Sequence, residues 1–139
     1  MIALIKNKLN ERGGAAVEFG LILPIFLLLL IAVIEYGWYF THEIVLSNAV
    51  SEGARRAIKE EDEADIKKVT YAAVREAFWL HDLEKDGGIE NVVNVIIPDD
   101  NPKRVIVTIP VLGYNQLTGF MPSKMVPETI GAKAVMTFL

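Results

Sequence analysis

The chain has 139 residues, 52% of them apolar and 23% charged, and it contains no cysteine. That balance excludes a disordered tail, a multi-span carrier, a disulfide framework and any thiolate metal site, and it leaves room for one membrane segment and one small folded domain. The formal net charge is −4, and eleven of the fourteen basic and sixteen of the eighteen acidic residues lie from Glu35 onward, so the C-terminal part is acidic and nucleic-acid binding is not expected.

The first predicted element is an apolar helix. No residue between Glu18 and Glu35 is charged. With the small residues before it and Tyr36 to Phe40 after it, the run supplies the roughly 20 residues that cross a hydrocarbon core of about 30 Å. Lys6, Lys8 and Arg12 precede the run directly, whereas the next basic residues are Arg55 and Arg56. This asymmetry predicts a cytoplasmic N-terminus and an exported C-terminal domain. A secretory signal peptide fits less well, because the run is long and its small residues Gly13 and Gly14 stand before it rather than at a cleavage site after it. The helical pattern continues beyond the membrane, predicting one helix from about 15 to 58, loosened at Pro24.

Glu18 sits just inside the apolar edge, where an acid costs roughly 2.5–3.5 kcal/mol and normally has a partner. Glu35 follows about 260° further around the helix, so the two carboxylates do not pair; Glu35 is read as marking the outer interface. Next, Asp62 and Asp65 suit the start of a second helix, whose stripe Ile66, Val69, Ala73, Ala77 and Leu80 predicts a span over 62–84 ended by Gly87-Gly88.

The period then changes to two. Val93, Val95 and Ile97, then Val105, Val107, Ile109 and Val111, then Ile130, Ala132, Ala134, Met136 and Phe138 predict three antiparallel strands, with Pro98 to Pro102 turning the first hairpin. The connection 113–127 is greasier than a solvated loop and is expected to touch a partner. A three-stranded sheet must cover one face, so it is predicted to pack on the outer half of the long helix and on the second helix, giving an α+β domain.

Candidates for chemistry are few. His42-Glu43 lacks the second histidine of a zinc-protease helix, and Asp99, Asp100 and Asn101 lack the spacing of a calcium loop. His81 suits a helix C-terminus. No catalytic residue, cofactor site or metal site is expected, and the chain is not read as an enzyme.

Arg12-Gly13-Gly14-Ala15-Ala16-Val17-Glu18-Phe19, Leu23-Pro24, Glu35-Tyr36-Gly37 and Asn48 to Arg55 occur in one order. Over about residues 12–57 this resembles the TadE-like pseudopilins of the tight-adherence (Tad, type IVc) pilus system. The resemblance implies a cytoplasmic leader over 1–13, a transmembrane segment over 14–40 and an extracytoplasmic domain over 41–139. It implies cleavage by a prepilin peptidase at Gly13 or Gly14, recognition or assembly through Glu18 and Phe19, and a minor pseudopilin in the inner membrane or a surface pilus, serving adherence or secretion. Partners would be the peptidase, other pilins or pseudopilins and the assembly platform. Glu18 as fifth residue of the product places the cut after Gly13; a cut after Gly14 makes it the fourth. An unprocessed single-pass anchor carrying a binding domain is the alternative.

Overall fold

The computed structural model describes residues 2–99 and 102–138, without the side chains of residues 2–12, Glu84 and Asp86. The leader charges Lys6, Lys8 and Arg12 and the turn residues Asp100 and Asn101 therefore lie outside what is described.

Helix α1 (Ile2–Ala57) is continuous through Gly13, Gly14 and Pro24. It starts well before the expected residue 15, because the residues ahead of the double glycine include good helix formers such as Ala, Leu and Lys. At about 1.5 Å per residue its 56 residues extend roughly 84 Å. Helix α2 (Glu63–Ala77) begins as the charge pattern predicts: Asp62 caps it, accepting from the Ala64 amide at 3.3 Å. It ends seven residues short of the expected 84. Phe78 leaves helical geometry and buries its ring in the core, and a 3-10 turn over Leu83–Asp86 brings Leu83 in beside it. Gly87 and Gly88, both at positive φ, turn the chain into the short helix α3 (Ile89–Val92).

Strands β1 (Asn94–Ile96), β2 (Arg104–Gly113) and β3 (Thr129–Thr137) form an antiparallel meander in the order β1-β2-β3. Val105, Val107 and Ile109 point inward as expected, but the alternation then fails. A register irregularity between Ile109 and Leu112 turns Val111 outward, 65% exposed, and puts Leu112 in the core instead. Pro110, which cannot donate to the ladder, sits in this bulge. Gly131 faces it so closely that a Cβ there would lie 2.8 Å from the Pro110 carbonyl oxygen.

The core joins Leu46, Ala49, Val50, Ala54 and Ala57 of α1 to the inner faces of α2 and the sheet. The sheet packs on α1, with α3 against β2, and α2 lies on α1. Leu46 and Val50 of α1 and Ile66 and Val74 of α2 share one core cluster with Val105, Val107 and Ile109 of the sheet, as expected. Helices α1 and α2 meet at Gly53, where a Cβ would come within 2.9 Å of Val74 Cγ2.

Candidate functional site

Gly13, Gly14, Glu18 and Phe19 all lie on the uncovered N-terminal half of α1 and are exposed. A Cβ at either glycine would meet nothing within 4 Å. Packing within the chain therefore does not require glycine at these positions, and each costs about 1 kcal/mol of helix stability relative to alanine. Among the described residues no hydrogen bond or ion pair reaches Glu18. From Glu18 to Ile34 the helix exposes an apolar surface all round that includes Ile22, Ile25, Leu28 and Val33. It is the one described helix long and apolar enough to cross a membrane.

The acid at the other end of the apolar run is in the opposite state. Glu35 is fully buried and collects four donors from the connection between β2 and β3. Its Oε1 accepts from the Leu117 amide at 2.8 Å and the Tyr114 hydroxyl at 3.2 Å. Its Oε2 accepts from the Thr118 amide at 3.0 Å and the Thr118 hydroxyl at 2.7 Å. A carboxylate has about four acceptor sites, so this one is saturated. The connection is closed at its neck by Tyr114 N–H donating to the Glu128 carbonyl at 2.9 Å. It is tied a second time where the Tyr36 hydroxyl donates to the Met125 carbonyl.

Tyr114 completes the clamp from the far side. Its ring meets Tyr39 and His42 edge-on, with centroids 5.2 and 5.5 Å away. Burial, then the charge of Glu35, pushes its phenol up to about 12. His42 is buried in this cluster, its Nδ1–H donating to the Trp38 carbonyl at 3.1 Å, and His81 stacks on Phe78.

Sequence reasoning treated Glu35 only as a boundary marker and missed that it captures a loop 80 positions away. One signal was available: an acid immediately after a long apolar run needs donors, and 113–127 is a connection with free amides and a threonine.

Residues 13–55 match the family model described as TadE-like protein. That stretch is similar to TadE-like proteins. The match covers the double glycine, Glu18, the apolar run, Glu35 and most of the helix that the domain covers. It leaves α2, the sheet and the Glu35-bound loop outside. No curated protein and no solved structure matches the chain. Of the two acids that flank the apolar run in the matched segment, Glu35 has its bonding completed within the chain and Glu18 has no partner among the described residues.

Proposed function

We propose that the protein is a minor pseudopilin of a Tad (type IVc) pilus, needed for pilus assembly and hence for adherence or secretion, with no catalytic activity of its own. Its N-terminus is cytoplasmic and its folded domain lies outside the inner membrane. A prepilin peptidase cuts at Gly13 or Gly14, where two adjacent glycines make the helix easiest to open. Cleavage frees an α-amino group, and the carboxylate of Glu18 on one subunit pairs with that ammonium on the next. In a medium of low dielectric such a pair is strong and an unpaired acid is costly. Gly14, Ala15 and Ala16 allow the close helix approach this needs. The other pilins or pseudopilins and the assembly platform are the partners.

The observation that carries this reading is that Glu18, within the TadE-like match, stands exposed and without a partner among the described residues at the head of the bare apolar helix. Mass spectrometry of the mature protein from its membrane fraction tests it. The expected product begins at Gly14 or Ala15; a protein that still begins at Met1 in cells with active peptidase overturns the proposal.

A further inference from the structure

The uncharged stretch between Glu18 and Glu35 is 16 residues long, or about 24 Å of helix, against a hydrocarbon core of about 30 Å. The shortfall must be met at one end or both by residues next to the run. At the outer end these are Glu35 to Trp38, and Glu35 is attached to the loop 114–126. A helical side chain leans toward the helix N-terminus, so the Glu35 carboxylate, and with it Leu117 and Thr118, is displaced toward the apolar run. Ile31 and Ala32, one turn below, are already half-buried.

Most of what the loop turns outward is apolar, with Asn115 and Ser123 exposed between. Leu117 is 51%, Phe120 80% and Met125 58% exposed. Its charge differs from that of the rest of the exported domain: between Arg104 and Glu128 there is no acidic residue, and the single charge is the exposed Lys124. On α1, Tyr36 is exposed beside Glu35 and Phe40 about one turn further on, the pattern of aromatic side chains at a membrane interface.

We propose that the loop 114–126 is a membrane-interface foot: Leu117, Phe120 and Met125 enter the headgroup and upper acyl region of the outer leaflet, and Lys124 reaches anionic phosphates. The occupant of this apolar patch is phospholipid, because the patch continues the lipid-facing surface of α1 and is fastened to it by the Glu35 bonds. Those bonds satisfy the carboxylate within protein, so that Glu35 can sit at the hydrocarbon boundary without water. The foot sets the depth of α1 and stops the domain from tilting freely on its helix. This inference rests on α1 spanning the bilayer and is independent of processing.

The absence of native cysteine gives a direct test. The full chain carrying Leu117→Cys, Phe120→Cys or Met125→Cys is spin-labelled in vesicles of phosphatidylethanolamine and phosphatidylglycerol. Collision with oxygen and with a water-soluble nickel chelate is then measured. Leu28→Cys reports the hydrocarbon core and Glu61→Cys reports water. The loop labels are expected to collide with the nickel chelate several-fold less than the Glu61 label does, and with oxygen more. Loop labels as accessible as Glu61, with Leu28 still shielded, overturn the foot and leave the span intact; an accessible Leu28 label removes the span and the foot together. Shielding that arises only when other pilus proteins are added, and not in vesicles alone, also overturns it and assigns the patch to a protein.

Discussion

Residues 13–34 and 35–57 belong to one unbroken helix, yet the first stretch is exposed on nearly every side while the second buries a stripe of Glu35, His42, Leu46, Ala49, Val50, Ala54 and Ala57. The two acids that flank the apolar run follow the same division. Glu35 has its donors supplied by the domain, whereas Glu18 lies where the domain does not reach. The C-terminal half of α1 is a core helix of a small domain, and the N-terminal half is a bare apolar surface long enough to cross a membrane. The difference teaches that polar residues in one helix can have opposite consequences: replacing Glu35 should act on this chain's own fold, and replacing Glu18 should act on assembly.

The largest effects are expected at the clamp and in the core. Glu35→Ala leaves the Leu117 and Thr118 amides and the Tyr114 hydroxyl without their acceptor; with each poorly solvated donor worth about 1–3 kcal/mol, a loss of roughly 3 kcal/mol is expected. Hydrogen exchange should show the Leu117 and Thr118 amides losing protection first, and unchanged protection there would break the comparison. Next, Leu46→Ala removes a fully buried side chain and should destabilise the domain by about 2–5 kcal/mol. Leu28→Ala in the bare half, measured by the same denaturant titration in detergent, should leave domain stability unchanged.

An alkaline titration sharpens the role of Tyr114. Its folded value, raised to about 12, lies above the ordinary tyrosine value of about 10. Its contribution is therefore fully present below pH about 10 and is lost as pH rises through about 12. Burial also raises Tyr39 and Tyr71, so phenolate absorbance should show a spread of late titrations whose last step Tyr114→Phe removes. The smallest effect on stability is expected from Glu18→Gln, which should leave unfolding of the isolated protein unchanged while abolishing crosslinking to neighbouring subunits and piliation. Normal piliation with this variant would remove the role proposed for Glu18.

Much of the architecture was legible because it depends on local pattern. The apolar run, the Asp62 cap, the three period-two segments and the hairpin order each express a rule that acts over a few residues. The errors are non-local. The inward place of Leu112 depends on a bulge formed against Gly131, and the early end of α2 depends on the burial of Phe78 in the core. The double glycine and Glu18 were legible as a motif, and their exposure follows simply from the absence of anything packed on them. Glu35 was visible as an acid at a boundary, but its donors come from a segment whose approach depends on the path of β2 and β3.

By itself the sequence determined that this chain carries one membrane-length apolar helix and a small α+β domain, because hydrophobic periodicity and charge exclusion are properties of neighbours along the chain. Only the tertiary structure decided that, of the two acids flanking the apolar run, Glu35 is enclosed by four donors while Glu18 stays exposed outside the domain. The reason is that hydrogen-bond saturation depends on which distant amides arrive at a carboxylate, and that is settled when the sheet folds back against the helix.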